Sequence, residues 1–334
     1  MLSNYRVISF AVLGLGFIGR KHCFFIEQNP NSQLNATIDP NVDESDYATI
    51  EEFVSADGGN TDVICIASPN GAHLEHAKYL IDYGYHVIIE KPMAIDSDGA
   101  RELVDYCSSI NQLVFMVMQN RYSPISKWLK DLIDKQLLGS IFMVQINAFW
   151  NRDERYYKAG SWHGSKELDG GTLLTQFSHF VDLLYWCFGD ISEIQADLFN
   201  FNHQELIDFE DSARVNFKFV NSGYGQINYS TSCFSKNLES TITILAEKGT
   251  IKIGGQYMDE VLHCEIKDYE LPDLSLSKEK FGPYTGNAAN HRFVIQNAVE
   301  VLNGVGSPDT SLQEGAAVVD IIDRIYKSSS SLIK

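Results

Sequence analysis

A lysine placed directly after a buried strand is the first residue in this chain with chemistry to offer. The run Val87-Ile88-Ile89 reads as such a strand and continues into Glu90-Lys91-Pro92. A proline holds the residue before it extended. An amine fixed at an apolar strand end is partly desolvated, which lowers its pKa toward that of a general base, although a lysine that snorkels to solvent is the plainer reading. A second candidate is His179, which shares one stripe of a predicted helix with Thr175, Gln176 and Asp182. An imidazole there can hydrogen-bond a substrate oxygen, and the preceding double glycine and Gln176 favour that role over satisfied structure. Asn290 and His291 open a late predicted helix and are candidates to line the same pocket, against simple helix-start chemistry.

Gly14-Leu15-Gly16-Phe17-Ile18-Gly19 follows one predicted strand and opens a predicted helix. In that context the first glycine permits a tight turn and the second lets backbone approach a pyrophosphate. The third packs helix on strand, with the phosphates at the helix N-terminus. Asp39 ends the next strand, about 20 residues on, where an acid can hold a ribose hydroxyl. No Lys or Arg occurs from His22 through Ala77, so a 2′-phosphate would find no cation and would meet Asp39, which favours NAD over NADP. Ser68-Pro69-Asn70 with His73, Glu90-Lys91, and Gln119 all follow predicted strands and are expected to border the cofactor, because ligands sit beyond the carboxyl ends of parallel strands.

These residues need a scaffold. Up to about residue 120, nearly all-apolar strands (7–13, 36–38, 63–67, 86–89, 113–118) alternate with helical periodicity, the pattern of a parallel sheet buried on both faces. Beyond it the strands become two-faced. Val144, Ile146 and Ala148 alternate with other residues, as do Val215, Phe217 and Phe219, so an open, mainly antiparallel sheet with one free face is expected. Helices are predicted over 172–188, 288–302 and 311–328. The fold class is therefore α/β, with a Rossmann domain over 1–120 and an α+β substrate and oligomerisation domain over 121–334. There are no internal repeats, and the only low-complexity stretch is Ser328 to Ser331.

The 334 residues carry 26 basic and 44 acidic side chains, a formal charge of -18, so nucleic acid and anionic membrane surfaces are improbable partners. An anionic small substrate would require a local basic pocket. Arg121, Arg152, Arg155 and Lys158, interleaved with Tyr122, Tyr156, Tyr157 and Trp162, meet that demand: charge for a diphosphate, rings for a uracil or sugar. Random surface charge beside aromatics is the bland alternative. The six cysteines are scattered with no CxxC pair, as in a reducing cytoplasm, and no signal peptide or spanning run of about 20 apolar residues is present. His73 and His76, with His163 and His179, lack a carboxylate or thiolate at zinc-ligand spacing, so no metal is expected.

The glycine turn, Ser68-Pro69-Asn70 with His73, Glu90-Lys91-Pro92, Asp169-Gly170-Gly171 and the helix bearing His179 together resemble the glucose-fructose oxidoreductase / inositol dehydrogenase / MocA family over nearly the whole chain. That resemblance implies a Rossmann domain, an open-sheet domain that commonly mediates oligomers, NAD(P), and a catalytic lysine at Lys91. One departure stands out. Many members carry an aspartate four residues before the helix histidine, and here the position is Thr175, so the Lys-Asp-His trio lacks its acid. Asp182 either orients the imidazole instead or is an ordinary helix-surface acid. Within the family, Gln119-Asn120-Arg121-Tyr122-Ser123-Pro124 and the segment 168–179 are similar to the nucleotide-sugar branch, which includes UDP-N-acetylglucosaminuronate 3-dehydrogenases of surface-polysaccharide synthesis.

The expected activity is NAD-dependent oxidation of a secondary hydroxyl on a sugar or sugar nucleotide by a cytoplasmic homo-oligomer, a dimer or tetramer. Lys91 is the base, and His179 binds the same oxygen or a neighbour. Asn120, Arg121, Tyr122, Trp162, Thr175, Gln176 and Asn290 contact substrate. An inositol or other polyol dehydrogenase, an NAD-retaining glycosidase and a non-catalytic NAD sensor are the competing readings.

Overall fold

The structure, a computed structural model, describes residues 5–158, 161–255, 258–274, 280–281, 284–285, 290–329 and 332–333. In chain order the first elements are β1 (Ile8–Leu13), α1 (Phe17–Gln28), β2 (Ser32–Ile38), α2 (Ile50–Asp57), β3 (Val63–Ile66), α3 (His73–Asp82), β4 (His86–Ile89), α4 (Ser97–Cys107) and β5 (Val114–Met116). The strands form a parallel sheet in the order β2-β1-β3-β4-β5. Every residue of β1 and β3 is buried, as expected of strands covered on both faces. The order reverses between β1 and β3, which opens a crevice at their carboxyl ends.

The second set comprises α5 (Pro124–Asp134), β6 (Ile141–Phe149), α6 (Thr172–Thr175), α7 (Ser178–Phe188), β7 (Ile191–Phe199), β8 (Ser212–Phe219), β9 (Tyr224–Ser230), β10 (Glu239–Ala246), β11 (Gly249–Gly254) and β12 (Glu260–Ile266). These strands, with the short strand Leu332–Ile333, build an eight-stranded sheet in the order β12-β11-β10-β6-β9-β8-β7-(332–333). All its pairings are antiparallel except β6 with β9 and the short strand with β7. Val144, Ile146 and Ala148 lie on its buried face with Ile227, Tyr229, Ile242 and Ile244, and α7 packs there through Phe177 on Tyr229 and Phe188 on Phe219. Helices α8 (His291–Leu302) and α9 (Leu312–Ser328) complete the chain. No described helix is long and apolar enough to cross a membrane.

The chain divides into two compact units, residues 1–119 with 290–316, and residues 120–289 with 317–334. The sequence division at 120 put 290–316 with the second half, whereas the structure returns it to the first. The reason is a set of pairings that no local pattern announces. Asn29 donates to Gln296 at 2.9 Å, Asn303 accepts from the Arg6 backbone at 2.9 Å, and His291 meets Glu90. Two further differences are local. The helix expected over 172–188 is broken at Gln176–Phe177, where Phe177 leaves helical geometry (φ -116°, ψ 3°) and buries its ring 4.9 Å from Trp150. The expected start of the late helix at Ala288 lies outside the described residues.

Glu210 seats the start of α6. Its Oε1 accepts from the Leu173 backbone N–H, the Tyr229 hydroxyl and the Tyr326 hydroxyl at 3.0, 2.8 and 2.9 Å. Tyr326 also closes over Gly171, whose φ of +134° and 2.3 Å from a would-be Cβ to the Tyr326 oxygen admit no side chain. Burial is the main cause that pushes the Glu210 carboxyl up to about 7, outweighing these hydrogen bonds. An acid whose folded pKa is raised binds more protons folded than unfolded between its two pKa values. Stability attributable to Glu210 therefore falls as pH rises from the unfolded value, about 4.3, to about 7, with a slope of at most about 1.4 kcal/mol per pH unit. Glu210→Gln keeps the accepting oxygen and removes the titration. Its melting temperature should match the wild type near pH 4 and exceed it above pH 7, as read by thermal melts across that range.

Candidate active site

In the first unit the chain turns sharply after β1. Gly14 has φ +90°, and a Cβ there would stand 2.6 Å from the Ala67 carbonyl oxygen. At Gly19 a Cβ would fall 1.7 Å from the Gly14 oxygen, so α1 seats directly on the turn. Gly16, the N-cap of α1, has no atom within 4 Å of a would-be Cβ and no side-chain cap, which leaves open space before the helix N-terminus. Phe17 and Ile18 begin that helix, with Phe17 exposed. Asp39 directly follows β2 and accepts from the Leu15 backbone N–H at 2.7 Å. An uncrowded glycine at a helix N-terminus with a carboxylate one strand away fits the pyrophosphate and ribose of NAD.

The turns after β3 and β4 are joined through histidines. His73, 1% exposed, sets its ring nitrogens 2.7 Å from the Pro92 carbonyl and 2.8 Å from the Ser68 carbonyl. Ser68 Oγ bonds His76 at 2.9 Å. His73 was expected to border the cofactor; it serves here as the link that fixes Ser68-Pro69-Asn70 against Lys91-Pro92. Asn70 and Gln119 are buried and Lys91 is half-exposed.

Beside Lys91 lies an arrangement that sequence reasoning missed. Glu90, 5% exposed, takes His22 Nε2 at 2.8 Å and His291 Nε2 at 3.0 Å on Oε1, and the Lys91 backbone N–H donates to its Oε2 at 3.3 Å. Burial favours the neutral carboxyl, but His291 and His22 outweigh it and hold Glu90 well below the usual range. Burial also holds His291 down to about 4. Lys21 is 2% exposed, and burial lowers its ammonium to about 8 against the attraction of Glu90, with Lys91 adding repulsion. His22, Glu90 and His291 have the donor types for a metal ion. Their 2.8 and 3.0 Å separations are hydrogen-bond lengths, shorter than the about 3.3 Å between donors on a tetrahedral ion. With Lys21 alongside, the group fits a hydrogen-bonded carboxylate better than a cation site. Asn290, the N-cap of α8, also belongs to this unit, and its Nδ2 is buried with no partner among the described residues.

The second unit holds the other candidates. From 171 to 184 every residue is buried except His179, which is half-buried. Thr175 donates to the Asp169 carbonyl at 2.7 Å and so braces the double-glycine turn. Gln176 accepts from Arg152 Nε at 2.8 Å and donates to the Tyr156 hydroxyl at 2.6 Å. Arg152 lies over the rings of Trp150 and Tyr156, at 5.0 and 5.2 Å. Trp162 stacks on His163 at 3.9 Å, and burial, with Arg152 nearby, lowers His163 to about 4. Tyr122 and Asn120 are half-buried, with Lys127 over the Tyr122 ring.

Two expectations change. Arg121 was expected to help hold a diphosphate, but its Nε and Nη2 both reach Asp182, at 3.0 and 2.7 Å, in a pair that is almost wholly buried. Asp182 is thus not a surface acid but the buried partner of Arg121. Arg155 pairs with Asp153 at 2.6 Å on the exposed surface. Of the three arginines in the predicted basic cluster, Arg152 alone has only neutral hydrogen-bond partners among the described residues. The signal for Arg152 was its place between Trp150 and Tyr156; nothing in sequence separated it from Arg121.

Comparison with known proteins agrees with this geometry. Residues 8–118 match the family model described as oxidoreductase family, NAD-binding Rossmann fold, and residues 127–252 match the GFO/IDH/MocA C-terminal domain. Among solved structures, the WlbA dehydrogenase of Bordetella pertussis, in complex with NADH and UDP-GlcNAcA, is 28% identical with a TM-score of 0.86, over 97% of this chain and 96% of that one. The WlbA of Chromobacterium violaceum, bound to the same two molecules, is 28% identical with a TM-score of 0.87, over 97% and 94%. Glucose-6-phosphate 3-dehydrogenase of Bacillus subtilis is 25% identical over 96% of each chain. With both halves matched, this chain belongs to the GFO/IDH/MocA family and is an NAD-binding oxidoreductase.

Proposed function

We propose that the protein oxidises a secondary hydroxyl of a sugar nucleotide, and that the substrate is UDP-N-acetylglucosaminuronate oxidised at C3, a step of surface-polysaccharide synthesis. The observation that carries the reading is Lys91: an amine at the carboxyl end of β4, in the unit that bears the dinucleotide turn. Gly14, Gly16 and Gly19 with the first turn of α1 hold the pyrophosphate of NAD, and Asp39 holds its ribose. When bound, NAD supplies the hydride acceptor. Lys91 Nζ takes the hydroxyl proton as the C–H bond breaks, and His179 hydrogen-bonds the substrate oxygens.

The substrate class is supported by Arg152, whose guanidinium has no carboxylate partner among the described residues and lies over two aromatic rings, a setting suited to an anionic group with a ring attached. Oxidation at C3 is supported by the Bacillus relative, a 3-dehydrogenase of a phosphorylated sugar, and the UDP-uronate by the two WlbA enzymes. A cytoplasmic homo-oligomer, dimer or tetramer, goes with the same reading. The sheet face opposite the core carries Met143, Tyr224 and Leu245, which are paired across adjacent strands and exposed, as a face awaiting a second copy would be.

A panel of UDP-sugars and free polyols with NAD, read by NADH absorbance, should respond to UDP-N-acetylglucosaminuronate. A response to a free polyol and to no nucleotide sugar would overturn the substrate while leaving the reaction class intact. Lys91→Met should bind NAD normally, by fluorescence titration, and lose at least about 100-fold in kcat. Undiminished turnover would remove Lys91 as the base.

A further inference from the structure

The Lys91 side chain leaves a strand end crowded with charge that the fold has fixed. Glu90 is held by two imidazole donors that reach it from α1 and α8, 68 and 201 residues away in sequence, so its carboxylate is pinned from both sides. Its second oxygen takes the Lys91 backbone N–H. The Lys21 ammonium, buried in α1 with its Nζ 5.0 Å from the Phe17 ring, feels both the Glu90 charge and the Lys91 charge. His73 feels the same two charges, and Cys65 feels Glu90. One anion, bonded to the Lys91 backbone N–H, and one cation, both nearly excluded from water, therefore act on the proposed base with opposite signs. Charges in such surroundings shift a neighbouring group by about a unit or more.

We propose that His22, Glu90 and His291 form a clamped anion which, opposed by Lys21, sets the proton occupancy of Lys91. Glu90 and Lys21 are tuning residues that act through the Lys91 amine, and His22 and His291 are positioning residues for the carboxylate. Glu90 favours the ammonium that returns a proton in the reducing direction; Lys21 favours the free amine that removes one in the oxidising direction. The clamp also gives residues 290–316 a reason to return to the first unit, since His291 supplies half of it. The inference rests on Lys91 being the base of the proposed function.

Its test needs no substrate. The full-length protein is acylated with trace acetic anhydride across a pH series, and the extent at each lysine is read by peptide mass spectrometry, with exposed Lys166 as reference. Glu90→Gln should move the Lys91 midpoint to lower pH by about a unit or more. Lys21→Met, which keeps a long apolar stem, should move it to higher pH. Equal midpoints in all three proteins, or shifts of the same sign in both variants, would overturn the proposal. Near-UV circular dichroism and NAD binding report whether each variant is folded, and if Glu90→Gln is not, the Lys21→Met shift decides alone. Failure of the Lys91 reading itself is seen separately, as turnover retained in Lys91→Met.

Discussion

A parallel sheet buried on both faces allows polar chemistry at only one place, the ends of its strands. Here β1, β3 and β4 bury apolar side chains along nearly their whole length, and each then releases a polar group as soon as it leaves the core: the glycine turn, Ser68-Pro69-Asn70, and Glu90-Lys91. The reversal of strand order between β1 and β3 opens the crevice that the dinucleotide needs. The identity of the cofactor and the siting of the amine both derive from that edge.

The second unit solves a different problem. Its helix carries His179 while remaining packed on nearly every side, and most of the polar groups around it are paired. Arg121 and Asp182 cancel each other, Thr175 braces the turn before it, and Gln176 is held between Arg152 and Tyr156. The absent family aspartate at Thr175 is therefore replaced by a structural hydroxyl, and His179 must work without that acid.

The sheet of the first unit, the glycine turn and the places of Asp39 and Lys91 just past their strands were legible because each depends on a few consecutive residues and a strand period. The alternating strands of the second unit were legible for the same reason. What escaped was set by contacts far apart in sequence. Arg121 meets Asp182 across 61 residues and Glu90 meets His291 across 201, so neither pairing leaves a trace in local periodicity. Nothing in the sequence separates His22, one of the two histidines that hold Glu90, from the other residues of α1. The break at Phe177 was hidden because its apolar ring suits a continuous helix as well as a kinked one; packing against Trp150 and Tyr229 decides between them.

Lys91 is the base of the proposed reaction, and a crystal structure with NADH and UDP-N-acetylglucosaminuronate examines it most directly. Lys91 Nζ within about 2.6–3.2 Å of the C3 hydroxyl, with C3 facing the nicotinamide, is the expected arrangement. An amine directed to solvent, with the sugar hydroxyls held only by other side chains, would contradict it.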